Sequence, residues 1–245
     1  MGAATEVRKV IAPVRLLVAA AAVLVTIAGT QLFALAEQTD FYFAWTIKPP
    51  LTAAFLGASY WASLFLLLDI VLVATWRQAR AGLISILAFT TLTLILTLLH
   101  LDRFHFGASQ TLPVIAAWAW LVVYVVTPVA FALSLWAQLR IPGDDSPPSG
   151  PLPSLLRALF LIQAGILIVF GVALLVAPTA AAAWWPGPLT PLTGQAVGAW
   201  LVAVAIAGAG VLVDNDRRSA AGPAQSYAFF GILQLLAVAR FSGDI

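Results

Sequence analysis

The sequence has no cysteine, two histidines and only two lysines, and just 9% of its 245 residues are charged. Without cysteine, the chain can form no disulfide, no cysteine-ligated zinc site, no iron–sulfur cluster and no thiol nucleophile. Because Lys9 and Lys48 both lie outside the apolar runs, a retinal Schiff base on a membrane helix is excluded. There is no Gly-rich phosphate loop, HExxH sequence or Ser/His/Asp set. The net charge of +2 argues against nucleic acid as a partner.

Apolar residues make up 62% of the chain and fall into seven long runs. Each run is near the ~20 residues that cross a hydrocarbon core, and the first is too long for a signal-peptide core. Backbone amides in lipid must be paired within their own segment, so each run is expected to be a helix. We therefore predict an all-α integral membrane protein with seven transmembrane helices. Their predicted bounds are Leu16–Ala36, Leu51–Thr75, Ala81–Leu101, Leu112–Leu139, Leu155–Ala177, Leu192–Val213 and Pro223–Ala239.

The basic residues are divided unequally between the two sides of the predicted membrane. With a cytoplasmic N-terminus, only Lys48, Arg103 and Arg240 lie outside. The positive-inside rule therefore predicts the N-terminus inside and the C-terminus outside, and we expect a bacterial-type cytoplasmic (inner) membrane. The basic residues on the inner side would be Arg8, Lys9, Arg15, Arg77, Arg80, Arg140, Arg157, Arg217 and Arg218.

The three predicted helices before the fourth run and the three after it contain similar short residue patterns in the same order. This order predicts two parallel three-helix repeats, residues 1–111 and 155–245. A linker helix, 112–139, and a flexible loop, 140–154, would join them in a 3+1+3 arrangement. The matched landmarks are Arg15 with Arg157, Trp45 with Trp185, Pro50-Leu51-Thr52 with Pro191-Leu192-Thr193, Gly57-Ala58 with Gly198-Ala199, and Arg103-Phe104 with Arg240-Phe241.

Each predicted repeat has an aromatic, proline-rich loop between its first two helices. Trp45 lies in the first loop with Trp61 shortly after it, and Trp184 and Trp185 lie in the second. Because tryptophan favours the headgroup level, these residues are interpreted as an anchoring belt or, alternatively, as lids over an outer site or a docking surface. The segment with Trp45, Lys48-Pro49 and Trp61 resembles the tryptophan-rich sensory protein family of tetrapyrrole and sterol binders. That family has five helices and no duplication, so the chain is not assigned to it.

Polar residues on the third predicted helix share one face. Thr90, Thr93, Thr97 and His100 are spaced by three, four and three residues, which places them on one side of a helix. Such groups commonly hydrogen-bond across helix contacts in lipid. The alternative is a polar strip that lines a cavity between the repeats, because polar residues at membrane depth often mark pathways. Their predicted counterparts in the last helix are Tyr227, Phe230, Gln234 and Ala237.

The two histidines, His100 and His105, flank Asp102 and Arg103 at the end of the third helix. Residues five apart do not share a helix face and no third His or Cys exists, so these histidines are weak metal candidates and no cofactor is assigned. Arg103 and Arg240 occupy equivalent places in the proposed repeats. Two arginines at one outer mouth would suit a phosphate or carboxylate, although side chains at helix ends also snorkel to the interface without a ligand.

Asp69 is the one acidic residue well inside an apolar run. A carboxylate at that depth must be paired or protonated, so we expect Arg77, Arg80 or a hydroxyl beside it. A proton-coupled or ion-coupled role and a structural hydrogen bond are the two interpretations.

The sequence supports two main functions, and an enzyme acting on a lipid is a distant third because a single His/Asp cluster is its only support. The first is a non-enzymatic accessory or scaffold subunit, in contact with the lipid bilayer and with other membrane subunits or another copy of itself. The second is a small-molecule or lipid carrier with a site between the repeats. The candidate ligand-binding residues are Asp69, Thr93, Thr97, His100, Arg103, Gln234 and Arg240.

Overall fold

The structure is a computed structural model that describes residues 6–73 and 75–244. Seven long helices form a bundle in this part of the chain, and six of them are long and apolar enough to cross a bilayer. The prediction of an all-α, multi-pass membrane protein is therefore confirmed. The helices are α1 (Ala12–Gly29), α2 (Pro50–Val73), α3 (Trp76–Leu99), α4 (Thr111–Leu139), α5 (Ser154–Val176), α6 (Pro191–Asp214) and α7 (Ala221–Arg240).

The observed bounds lie close to those predicted, with one informative difference in α3. This helix begins at Trp76, five residues before the predicted Ala81. The segment before Ala81 contains Arg77 and Arg80, which suggested a loop, but Arg80 forms ion pairs with Asp145 and Asp214. Basic residues can therefore occupy the first turns of a membrane helix here because they are neutralised at the bundle end. The helix α1 is continued by a π-helical turn, Thr30–Ala34.

The helices pack in two sets of pairs. The helix α1 packs on α2 and α5 packs on α6, while α3 packs on α6 and α7 packs on α2. Close approach in the first two pairs depends on glycine: a Cβ at Gly57 of α2 would overlap the backbone of Leu32 and Phe33. A Cβ at Gly198 of α6 would lie 2.8 Å from the carbonyl oxygen of Gly171 in α5. The remaining helix, α4, lies against α3 and α1.

The end of the bundle at which α1 begins, called the N-terminal end below, is held together by ion pairs. Asp145, in the connection between α4 and α5, accepts hydrogen bonds from Arg8 and Arg80, each at 2.9 Å. Arg80 also binds Asp214 at the end of α6. The connection has no helix of its own, but backbone hydrogen bonds tie it to the chain start, with Arg8 N donating to Asp144 O at 2.9 Å.

Candidate functional site

The bundle contains a partly open cavity of about 560 Å³ to which all seven long helices contribute. Its wall is almost entirely apolar and is rich in aromatic rings. Sites for drug-sized ligands typically occupy 300–1,000 Å³ and are lined mainly by apolar and aromatic side chains, so this cavity has the size and character of a ligand site. The aromatic residues of the wall are Phe43, Tyr60, Phe89, Trp120, Tyr124, Phe131, Trp200, Tyr227 and Phe230.

Much of the wall comes from one face of α4. Trp120, Tyr124 and Phe131 follow each other at spacings of four and seven residues, so they lie on the same side of the helix and are buried against its neighbours. The Tyr124 hydroxyl lies 2.8 Å from the Tyr60 hydroxyl of α2, with which it shares a hydrogen bond. The ring of Trp200 from α6 completes this cluster by packing edge-on against Tyr60.

Several polar atoms beside the cavity are buried but have no hydrogen-bond partner among the described residues. They belong to side chains that line the wall: Thr127 Oγ1, Gln163 Nε2, Trp200 Nε1 and the Tyr227 hydroxyl. A buried polar group without a partner costs about 1–3 kcal/mol. Such a cost is recovered when a bound molecule supplies the missing acceptor, so these atoms indicate where a ligand oxygen would be recognised.

The two halves of the bundle cover the cavity differently. The helix α4 fills the space between α1 and α3 and contributes Trp120, Val123 and Tyr124 to the wall. The space between α5 and α7 has no covering helix in the described part of the chain. These two helices approach each other near the N-terminal end, where the rings of Phe160 and Tyr227 lie 6.0 Å apart.

None of the ligand-binding residues predicted from the sequence lies on the wall of this cavity within the described chain. Thr93 lines only a small neighbouring void, and its hydroxyl has no partner there. Thr97 accepts a hydrogen bond from Trp120 Nε1 at 3.0 Å. His100 Nε2 donates to Gln195 Oε1 at 2.6 Å, and Gln234 Nε2 donates to the Phe55 carbonyl at 3.3 Å. Thr97, His100 and Gln234 therefore make the helix-to-helix hydrogen bonds that the first interpretation predicts.

The charged candidates also lie apart from the cavity. Arg103 pairs with its neighbour Asp102, and both side chains are exposed. Arg240 donates to the Phe33 and Ala34 carbonyls at the end of α1.

Asp69 does not have the neighbours expected for it. Its carboxylate lies against Gly222 in the first turn of α7, where a Cβ would meet Asp69 Oδ2 at 2.9 Å. Arg80 instead binds Asp145 and Asp214, and Arg77 approaches Asp145 at 4.0 Å. Asp69 therefore lies beside the first turn of α7.

The tryptophans of the two aromatic loops have different environments. Trp45 is only 2% exposed, and its Nε1 donates to Thr193 Oγ1 at 3.2 Å. Trp185 donates to Thr52 Oγ1 at 3.1 Å. Trp61 donates to the Thr26 carbonyl at 3.3 Å. Trp184 is 69% exposed, so of these four it alone has the exposure of an interfacial anchor.

His105 is held in one tautomer by its contacts. Its Nδ1 lies 3.0 Å from the Phe43 carbonyl, which can only accept, so Nδ1 carries the proton. Its Nε2 then accepts from the Thr46 hydroxyl at 3.0 Å. Among the described residues, no group of three or more His, Asp or Glu side chains is placed to hold a metal ion. The side chains of His100 and His105 are both used in helix and loop contacts.

Ionic contacts at the N-terminal end shift the pKa of Asp145. Partial burial raises it, but the hydrogen bond from Arg8 and the charges of Arg80, Arg8 and Arg77 outweigh that effect and hold the pKa below its usual value. Asp216 behaves similarly: burial raises its pKa, while hydrogen bonds from Ser149 and Ser219 and the charge of Arg77 lower it overall. Both carboxylates are therefore ionised near neutral pH and keep this end closed.

The cavity residues that sequence reasoning missed share a recognisable signal. Tyr60, Tyr124 and Gln163 are uncharged polar residues in the middle of apolar runs, where a polar side chain needs a partner. Asp69 and the threonines of α3 are polar residues in apolar runs of the same kind.

The fold and the cavity define a class: a multi-pass helical membrane protein with an aromatic, largely apolar internal cavity. Comparison with known families, with curated proteins and with solved structures finds no match to this chain. Its function must therefore be argued from the site itself.

Proposed function

We propose that this protein binds a largely apolar, membrane-soluble molecule of lipid-like chemistry in the cavity between its helices. The single observation that carries the proposal is the cavity itself, with its volume of about 560 Å³ and its aromatic wall. An apolar wall favours ligands that already dissolve in the bilayer. The buried, unpartnered polar atoms of the wall favour a ligand with at least one oxygen atom.

The test is direct binding of a fluorescent lipid-like probe, 11-(dansylamino)undecanoic acid, to the purified protein. Trp120 and Trp200 line the cavity, so a bound dansyl group will accept excitation energy from them. Mass spectrometry of extracts from the same preparation will identify apolar molecules that purify with the chain. We expect saturable energy transfer and a stoichiometrically bound lipid-like compound.

Two neighbouring residues of α4 provide a matched pair of variants. Val123 lines the cavity, whereas Val122 is 58% exposed on the other side and does not. Val123→Phe fills part of the cavity and should weaken probe binding by about tenfold, as expected when overpacking competes with the ligand. Val122→Phe should leave the affinity unchanged. Equal affinities in the two variants, or no saturable binding by the unmodified chain, would refute the proposal.

We further propose that the chain crosses the membrane seven times in the 3+1+3 arrangement, with the N-terminus in the cytoplasm. The C-terminal end of α7 supports a seventh crossing, because Arg240 binds carbonyls at the end of α1 and Asp244 accepts from Leu51 N at the start of α2. A helix that reached only part of the way would not make these contacts. The clustering of Arg8, Arg77 and Arg80 at the N-terminal end supports a cytoplasmic location for that end.

Reciprocal contacts support the proposed duplication. Trp45 of the first half binds Thr193 of the second, and the matching Trp185 binds the matching Thr52. Close contacts at glycine also correspond between the two proposed repeats. A Cβ at Gly29 of α1 would meet Trp61 of α2, and a Cβ at Gly171 of α5 would meet Val202 of α6 at 2.8 Å.

The matched contacts revise one part of the proposed alignment. Ala81 of α3 lies against Gly210 of α6, and Gly222 of α7 lies against Asp69 of α2. If these two contacts are equivalent in the repeats, Ala81 corresponds to Gly222. This alignment is shifted by about one helical turn from the one that matches Arg103 with Arg240. A shared phosphate-binding role for the two arginines is therefore not part of the proposal.

The accessory-subunit hypothesis stays a prediction with a test of its own. Gentle purification of the protein from its native membrane, followed by protein mass spectrometry, should recover stoichiometric partners if the chain is a scaffold. A pure single-component preparation with bound lipid would favour the binding function alone.

A further inference from the structure

Between α5 and α7, no helix of the described residues covers the bundle. In the first half, α4 packs against α3 and α1, and the cavity-lining residues Leu24 and Ile27 of α1 are 39% and 51% exposed. In the second half, α5 packs on α6 and α7 packs on α2, and the described residues include no helix that bridges α5 and α7. Since α4 has no counterpart in the proposed duplication, the open space follows from the 3+1+3 arrangement.

The space between α5 and α7, called the α5–α7 gap below, leads into the cavity. Gln163 and Leu167 of α5 line the cavity on one side, and Tyr227 and Phe230 of α7 line it on the other. All four residues are partly exposed, so they reach from the cavity to the surface of the bundle. The α6 residues between the two helices, Leu201 and Val204, also line the cavity and are also partly exposed.

The two ends of the bundle are held together by contacts of the described residues. At the N-terminal end, Asp145 ties Arg8 and Arg80 together across the helix ends. At the opposite end, Phe43 and Trp45 are each 2% exposed and pack against each other with their ring centroids 4.7 Å apart. A molecule dissolved in the bilayer would therefore reach the cavity from the side.

Two side chains at the gap provide hydrogen-bonding groups for such a molecule. The Gln163 amide nitrogen and the Tyr227 hydroxyl are buried and have no partner among the described residues. Both groups can donate to an oxygen acceptor. They lie on opposite helices of the gap, and both residues line the same cavity.

We propose that a membrane-soluble molecule with a hydroxyl or carbonyl oxygen moves between bilayer and cavity through the α5–α7 gap, where Gln163 and Tyr227 hydrogen-bond its oxygen. This inference rests on the proposed binding function and adds a route and a preference for ligand chemistry. The route predicts that closing the gap changes the rates of binding. The chemistry predicts that removing the two polar groups changes selectivity.

The absence of native cysteine makes a reversible closure of the gap possible. In a Leu167→Cys/Phe230→Cys variant, a bifunctional methanethiosulfonate reagent will link α5 to α7 in the folded protein. We expect association and dissociation of 11-(dansylamino)undecanoic acid, followed by stopped-flow energy transfer, to slow by about tenfold or more. Cleavage of the link with a reductant should restore both rates.

A Val122→Cys/Val126→Cys variant is the matched control for the link. Both residues are exposed on α4 and lie outside the cavity wall, so the same reagent should leave both rates unchanged. Unchanged rates in the linked Leu167→Cys/Phe230→Cys protein would overturn the route while leaving the binding function intact. No probe binding by the unmodified chain would overturn the binding function, and this inference with it.

Selectivity is tested by competition of octadecan-1-ol and octadecane against the same probe. The unmodified chain should prefer the alcohol, and Gln163→Leu and Tyr227→Phe should each reduce that preference by about fivefold, the effect of one lost hydrogen bond. Tyr227→Phe keeps the ring, so its affinity for octadecane should not change. An undiminished preference for the alcohol in both variants would overturn the role of these residues.

Discussion

Two hydrogen bonds between tryptophan and threonine, one buried and one part-buried, join the N-terminal and C-terminal parts of the bundle. Thr193 Oγ1 accepts from Trp45 Nε1, and Thr52 Oγ1 accepts from Trp185 Nε1. Thr193→Val keeps the side-chain shape but removes the acceptor, which leaves the buried Trp45 N–H without a partner. We expect a loss of about 1–3 kcal/mol in stability, measured by thermal unfolding in detergent. Thr52→Val should act in the same direction.

Thr179 provides the control for this prediction because it is exposed on the short helix Pro178–Ala181. Thr179→Val should leave the unfolding temperature unchanged. A Thr193→Val protein that unfolds at the same temperature as Thr179→Val would show that the bond to Trp45 does not stabilise the bundle.

At the residue scale, the sequence predicted which faces are polar but not what they contact. The spacing of Thr93, Thr97 and His100 predicts one shared face, and in the structure Thr93 and Thr97 are buried in α3 while His100 caps its end. Periodicity does not reveal which helix that face meets. The partners Trp120 and Gln195 are distant in sequence and come from α4 and α6.

Among the elements, the pairs α1–α2 and α5–α6 depend on close backbone approach at glycine. A methyl group at Gly57 would overlap the backbone of Leu32 and Phe33, and one at Gly198 would press on the Gly171 carbonyl. Gly57→Ala and Gly198→Ala should therefore each lower stability by about 1–3 kcal/mol through overpacking, measured by thermal unfolding in detergent.

Gly165 of α5 supplies the matched control at the element scale. A Cβ there meets no atom within 4 Å, so Gly165→Ala should be neutral or stabilising by up to about 1 kcal/mol through its higher helix propensity. If all three substitutions changed the stability by the same amount, the effect at Gly57 and Gly198 would come from helix propensity and not from the close approach of the helices.

Helix positions were predictable because hydrophobic runs of membrane length leave few alternatives. The six observed helices that qualify as membrane spans all coincide with predicted spans, and the main displacement, at the start of α3, has an ionic cause. Glycines and prolines between the hydrophobic runs also indicated where the loops lie. It could not show that the connection 140–153 is tied to the chain start, because those backbone hydrogen bonds depend on the folded arrangement.

For the whole molecule, the cavity could not be predicted because its wall draws on all seven helices. The candidate site from the sequence, built on Asp69, His100 and Gln234, does not coincide with it. A polar residue in an apolar run can bind another helix or a ligand, and the sequence does not distinguish the two. In the structure, His100 and Gln234 hydrogen-bond to residues of other helices, whereas Gln163 and Tyr227 lie beside the cavity without a partner among the described residues.

The number and direction of membrane crossings can be measured with single cysteines, because the chain has none of its own. Ser146 lies in the connection between α4 and α5, Ser109 just before α4, and Ser242 just after α7. With seven crossings and a cytoplasmic N-terminus, an impermeant maleimide added to intact cells should label Ser109→Cys and Ser242→Cys but not Ser146→Cys. Labelling of all three after permeabilisation is the control. If α7 failed to cross, Ser242→Cys would be protected together with Ser146→Cys. Contact of Arg240 and Asp244 with the ends of α1 and α2 favours the crossing.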